Sequence, residues 1–351
     1  MAIASAARDD ESIRAGAERW LRAHDPGLAE VRVLPISRPA AGLSSDTCFV
    51  DAVTPTGDRF EYVVRLPPPG EGLFPDYDLR SQVDRQTSLA ALGIPVAAPA
   101  RFEADPSWMG APFMVMPRVP GHVLGRSWLR HGLIAEAAPG FRRELIFEFV
   151  RTLASLHRLP VDARSRVGSI TDAFEWWARY LDWAGGDRAL PAFMKAARDW
   201  CGEHLPNIES PVSVLWGDVQ LTNAVFNADG TVAALLDWEM TGTGPAELDL
   251  GWFVALHEMT IERAGASLPG VPTTAEIVEC YEAALGRVLG SLRWFEAFAL
   301  LRSGSIMVRM ARILAAQGVD DSWLVTHNPT EAALRRVISD TRPVRGTMRR
   351  R

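Results

Sequence analysis

The segment VLWGDVQLTNAVFNADGTVAALLDWEM, residues 214–240, sets three oxygen-bearing side chains at the ends of short apolar runs. Asp218 follows a strand-like stretch and a glycine. Asn223 comes five positions on, and a hairpin turning at Asn227-Ala228-Asp229-Gly230 leads through Val-Ala-Ala-Leu-Leu to Asp237. A carboxylate closing such a run loses solvation unless a cation or hydrogen bonds meet it. A divalent cation would supply that: Asn223 and Asp237 offer the hard oxygens that Mg2+ prefers, alongside phosphate oxygens and water. Asp218 could accept a proton from an attacking hydroxyl.

Two stretches of different periodicity must position these groups. Residues 10–24 place Ile13, Ala17, Trp20 and Leu21 at helical spacing. From Val31 to Leu66 the period falls to two, with a turn over Thr54–Asp58, which predicts a short antiparallel sheet. In its last strand Phe60, Tyr62, Val64 and Leu66 share one face, so Arg65 points to the other. A Pro/Gly-rich loop, PPPGEGLFP, leads to a helical stretch at about 77–92 and two further strand-like pieces, the second APFMVMPRV. After Gly121 long helical patterns follow at 141–159, 172–202, 274–289 and 291–317, interrupted by the alternating segment Val212–Asp237.

The chain has 351 residues, enough for about two folding units at roughly 150 residues each. With 48% hydrophobic and 23% charged residues it lies far from the composition of a disordered chain. A net charge of −6 argues against a nucleic-acid partner, whose affinity comes mainly from neutralised phosphates. No apolar run approaches a membrane span, and the amino terminus lacks a basic leader, so a cytoplasmic protein is expected. Cys48, Cys201 and Cys280 form no metal or disulfide pattern and read as buried thiols. Lys195 is the single lysine among 37 basic residues, so any chemistry that needs a fixed cation must use arginine.

The G-D-x-x-x-x-N run followed by D-W-E resembles the catalytic and metal loops of the aminoglycoside phosphotransferase family, small-molecule kinases with a protein-kinase-like fold. The likeness covers most of the chain. Gly42-Leu43-Ser44-Ser45-Asp46-Thr47 resembles the family's phosphate-covering loop, and Tyr62-Val63-Val64-Arg65 its cation-bearing strand. Ala111–Met116 resembles the hinge that meets adenine, Leu153–His157 a helix packing below the catalytic loop, and Glu247–Leu250 the segment whose aspartate braces that loop.

The resemblance implies an α+β, protein-kinase-like two-lobed fold: a small antiparallel-sheet N-lobe with one helix and a larger, mainly helical C-lobe. Its expected divisions are a helical extension at 1–29, a nucleotide-binding lobe at 30–117, a lobe with the catalytic and metal loops and the acceptor site at 118–340, and a basic tail at 341–351. It implies transfer of a γ-phosphoryl group from ATP or GTP to a hydroxyl of a small molecule, with Asp218 as base, Asn223 and Asp237 on Mg2+, and Arg65, Ser44, Ser45 and Met116 on the nucleotide. The acceptor would be antibiotic-like or of hydroxyacyl type.

This chain departs from the family's pattern at three positions. Trp216 and Gln220 stand where the family often has histidines, and Gln82 aligns with the acidic partner of the strand cation. Gln82 is neutral, though it could accept a hydrogen bond from Arg65; Asp78, Asp84 or Glu61 could stand in for the missing charge. These departures motivate an alternative, a catalytically silent nucleotide-binding regulatory module. Asp249 reads equally as a helix-start carboxylate and as the loop brace. His157 and His257, on apolar helices, read as satisfied core histidines. Phe174, Trp176, Trp177, Tyr180 and Trp183 crowd one helix and suit core packing or an aromatic wall for an acceptor.

Overall fold

In a computed structural model, which describes residues 8–39, 44–161, 168–208, 210–319, 324 and 328–339, the chain divides between Pro120 and Gly121, against an expected division after residue 117. Gly42, Leu43 and the basic tail at 341–351 lie outside the described residues.

Helix α1 (Asp10–His24) starts where the Asp9 carboxylate accepts the Ser12 amide at 2.9 Å. Its apolar stripe, Ile13, Ala17, Trp20 and Leu21, is buried against Val50, Ala52, Val64, Leu66, Phe113 and Val115. The expected N-terminal helix therefore belongs to the core of this unit. Those partners come from a five-stranded antiparallel sheet of β1 (Arg32–Val33), β2 (Asp46–Val53), β3 (Arg59–Leu66), β4 (Arg101–Glu103) and β5 (Phe113–Pro117), in the order β1-β2-β3-β5-β4. Alternation along β3 sends Val64 and Leu66 into this core and Arg65 to the opposite face. Helix α2 (Leu79–Ala91) joins β3 to β4 and is capped by Asp78, which accepts the Ser81 amide at 2.9 Å.

The second unit is mainly helical. It opens with β6 (His122–Val123), α3 (Leu133–Glu136), α4 (Pro139–His157), α5 (Ile170–Gly185) and α6 (Ala192–Glu203). The pattern read as continuous over 172–202 is two helices, because Gly186 takes φ +55° at the end of α5 and Pro191 caps the start of α6. Strands β7 (Val212–Leu215), β8 (Ala224–Phe226), β9 (Val232–Leu235) and β10 (Gly242–Pro245) follow. β8 and β9 are the expected hairpin, with β6 along the outer side of β8, while β10 pairs with β7. Helices α7 (Glu247–Ala264), α8 (Thr274–Leu285), α9 (Arg293–Ala316) and α10 (Glu331–Ser339) complete the unit, with α9 packed on α5, α6, α7 and α10. No described helix is long and apolar enough to cross a membrane.

Candidate active site

Asp218 sits just past the end of β7, where the chain leaves the β7–β10 ribbon and enters the turn Leu221–Asn223. Gly217 before it takes φ +92°, and a Cβ there would lie 2.1 Å from the Met240 carbonyl oxygen, so glycine is required by both conformation and space. The Asp218 carboxylate is held on both oxygens. Oδ1 accepts from Gln220 Nε2 at 2.6 Å and Trp252 Nε1 at 3.0 Å, and Oδ2 accepts from Asn223 Nδ2 at 2.7 Å.

Asn223 and Asp237 are brought to the same place by one backbone contact, the Leu236 amide donating to the Asn223 carbonyl at 2.8 Å. Asp237 is the one described non-glycine residue with positive φ, at +60°, a conformation that short polar side chains tolerate best and that clusters at functional sites. Burial pushes the Asp218 carboxyl up to about 6, and the charge of Asp237 adds to the rise; the Gln220 and Asn223 hydrogen bonds and the charge of Arg302 oppose it. The three residues singled out in the sequence thus gather in one spot of the second unit.

The loop is braced from behind. Asp249, in the first turn of α7, accepts the Trp216 amide at 2.6 Å on Oδ2 and the Gly217 amide at 3.0 Å on Oδ1. It is therefore both the helix-start carboxylate and the brace, the two readings left open above. His157 joins the Asp249 carboxylate at 3.1 Å to the Tyr281 hydroxyl at 2.5 Å, a satisfied core histidine. Trp216, where the family often has histidine, is fully buried and donates Nε1 to the Leu236 carbonyl at 2.8 Å, tying the loop to the segment that carries Asp237.

Two participants were not found from sequence, Trp252 on α7 and Arg302 on α9. Arg302 is buried, with its Nη2 3.0 Å from the Gly217 carbonyl oxygen and its guanidinium 4.5 Å from the Trp252 ring centroid and 5.0 Å from that of Trp177. Burial lowers its pKa to about 10, against the favourable charges of Asp249 and Asp218. The available signal was an arginine inside the apolar run FALLRSGSIMV of a helix otherwise facing the core. Of the aromatic residues on α5, Trp177 and Tyr180 are buried, Phe174 and Trp183 half-buried and Trp176 exposed.

In the first unit, Arg65 is buried rather than a solvated strand charge, and its Nε donates to Ser45 Oγ at 3.0 Å, next to Ser44. Gln82 does not accept the hydrogen bond from Arg65 that the sequence allowed: its Oε1 is buried with no hydrogen-bond partner. Asp78 is occupied as the α2 cap, and Glu61 pairs with Arg118 at 2.7 Å. Asp84 is exposed. Met116 is buried in β5, opposite Val63 of β3. Cys48 and Cys201 are buried as expected, but Cys280 is half-buried, at the edge of the α4–α8 packing.

Comparison with known proteins bears on the fold and the family. Human acyl-CoA dehydrogenase family member 11 is 26% identical over 332 residues, covering 90% of this chain and 40% of that protein, so the chain spans about two fifths of the relative's length. A Ralstonia eutropha structure assigned as an aminoglycoside phosphotransferase superposes with a TM-score of 0.67 at 24% identity, over 92% of this chain and 95% of the other. A choline kinase from Streptococcus pneumoniae gives 0.59 at 14% identity, over 92% and 99%. The fold is thus protein-kinase-like. The model of the phosphotransferase enzyme family matches residues 35–295, and the chain belongs to that family.

Proposed function

We propose that this protein transfers the γ-phosphoryl group of ATP or GTP to a hydroxyl of a small molecule, with Asp218 as the general base. The observation that carries the reading is the gathering of Asp218, Asn223 and Asp237: the Asn223 amide lies 2.7 Å from one Asp218 oxygen, and the Asp237 charge is close enough to raise the Asp218 pKa. In the reaction the acceptor O–H gives its proton to Asp218, its oxygen bonds to the γ-phosphorus, and the bond from phosphorus to the β–γ bridging oxygen breaks to leave a nucleoside diphosphate. Little covalent work falls to the protein beyond holding and neutralising these groups.

The residues present fit Mg2+. Asn223 directs its amide nitrogen to Asp218, which keeps its carbonyl oxygen as its remaining donor to a metal, and a cation beside Asp237 would offset the charge that raises the Asp218 pKa. Asn223 and Asp237 would hold the ion, which when bound neutralises the phosphate charge. Arg65, with Ser45 orienting its Nε, and Ser44 are assigned to the phosphates, and Met116 to the base of the nucleotide. For the acceptor, the cationic Arg302 beside the loop argues against a polycationic aminoglycoside. The relatives named for acyl-CoA dehydrogenases favour a hydroxyacyl-type molecule over an antibiotic.

The test is a nucleotide-consumption screen of purified protein over hydroxylated small molecules, with and without Mg2+, alongside Asp218→Asn. Turnover that needs Mg2+ and falls at least a hundredfold in the variant is expected. Nucleotide binding with no turnover on any acceptor overturns the proposal in favour of a silent binding module.

A further inference from the structure

Arg302 is an expensive residue where it stands. It is 6% exposed, no carboxylate pairs with it among the described residues, and its Nε has no hydrogen-bond partner. A buried cation without an ion pair costs stability that a leucine or methionine at the same place would not. Its contacts show where the compensation goes. One is the hydrogen bond from Nη2 to the carbonyl of Gly217, the residue immediately before the proposed base and 85 positions upstream. The others are the rings of Trp252 and Trp177, with Phe298 at 5.8 Å.

Trp252 itself donates Nε1 to Asp218 Oδ1. Arg302 thus reaches Asp218 by two routes, through the backbone before it and through the indole that holds one of its oxygens. We propose that Arg302 and Trp252 form one positioning device that fixes the orientation of the Asp218 carboxylate for phosphoryl transfer. The inference rests on the reading of Asp218 as base.

The chemistry suits the arrangement. A planar guanidinium stacks on an indole face and still keeps edge N–H groups for a carbonyl, which an ammonium on a flexible stem cannot do at once. With Trp252 and Gln220 on Oδ1 and Asn223 on Oδ2, the carboxylate is confined to one rotamer. Misplacement of a reacting group by about 1 Å costs on the order of a hundredfold in rate. Asn223 and Gln220 lie within five residues of Asp218 and move with its loop, whereas Trp252 and Arg302 come from two separate long helices and anchor it to the bulk of the unit.

The test uses the full chain and steady-state kinetics on whichever acceptor the screen finds. Trp252→Phe keeps a smaller aromatic face for Arg302 and removes the N–H together with one ring of the indole; Arg302→Met keeps bulk and removes the carbonyl bond and the stacked charge; Arg302→Lys keeps the charge alone. Trp252→Phe and Arg302→Met are each expected to lower kcat about tenfold, the scale of one hydrogen bond to a charged group, with the nucleotide KM within about twofold. Arg302→Lys should fail to restore kcat. Because the two act as one unit, the double variant should lose no more than the worse single.

Single variants with unchanged kcat, a change confined to KM, or losses that multiply in the double variant would each overturn the inference. Should Arg302→Met fail to fold, Trp252→Phe and Arg302→Lys carry the same comparison. Asp218→Asn separates this inference from the reading beneath it: undiminished turnover there removes the base itself, whereas a dead Asp218→Asn beside a fully active Trp252→Phe removes only the device.

Discussion

Replacing Gly217 with alanine should disable the enzyme while leaving it folded. The added Cβ would lie 2.1 Å from the Met240 carbonyl oxygen, and a carbon–oxygen contact needs roughly 3.2 Å, so one backbone must retreat by about 1 Å. Gly217 cannot yield freely: its amide is bound to Asp249 and its carbonyl to Arg302. Its φ of +92° adds strain for any L residue, together about 2 kcal/mol, or about 4–8 °C in Tm for a unit of this size. Asp218, the next residue, shares the displacement, and about 1 Å there is expected to cost on the order of a hundredfold in kcat. Thermal unfolding and turnover of Gly217→Ala, read together, test this. A variant within threefold of wild-type kcat would show that the loop's geometry does not govern the rate.

Asp249→Asn leaves one oxygen for two buried amides, and the loss of about 3 kcal/mol should appear in urea midpoints together with a fall in turnover. Trp216→Phe keeps the ring packed against Trp238 and Phe149 but orphans the Leu236 carbonyl, an expected cost of about 1–3 kcal/mol by the same measurement. Burial alone would raise the Glu247 carboxyl, yet the hydrogen bonds from Arg287, its own backbone amide and Ser210 hold it below its usual 4.5. A depressed acid stabilises the fold above its unfolded value and loses that contribution as the pH falls through the folded one. The gap in urea midpoint between wild type and Arg287→Met should therefore be widest at pH 7 and shrink below about pH 4.5; a gap constant with pH would refute the pairing.

The sheet, the hairpin at 227–230 and the gathering of Asp218, Asn223 and Asp237 were legible because each depends on local pattern: alternation, turn residues and polar ends of apolar runs. What escaped the sequence depends on tertiary contact. Nothing near Asp218 announces that Trp252 and Arg302 will meet it, because both sit in apolar helical runs whose pattern says only that they are buried. The break between α5 and α6 was written in Gly185-Gly186 and Pro191, but a strong apolar period on both sides hid it. The hydrogen bond from Arg65 to Ser45 was not foreseen, because alternation fixes the face of a strand residue and not which neighbour fills its donors.

One strained backbone position and a crowded pair of acids explain why so many elements converge on one loop. Asp237 takes φ +60°, a strained conformation for a residue other than glycine, and its carboxylate and that of Asp218, which the proposed reaction needs side by side, repel. Left alone, such a loop would relax toward ordinary dihedrals and let Asp218 and Asp237 part. Asp249 from α7, Arg302 from α9 and Trp216 through Leu236 each remove one direction in which it could move. Trp216, Asp249 and Arg302 are themselves buried, so releasing any one leaves a buried polar group without its partner. The cost of crowding two acids is thus borne by the helical core rather than by the loop, which lets the loop keep a geometry that its own sequence would not hold.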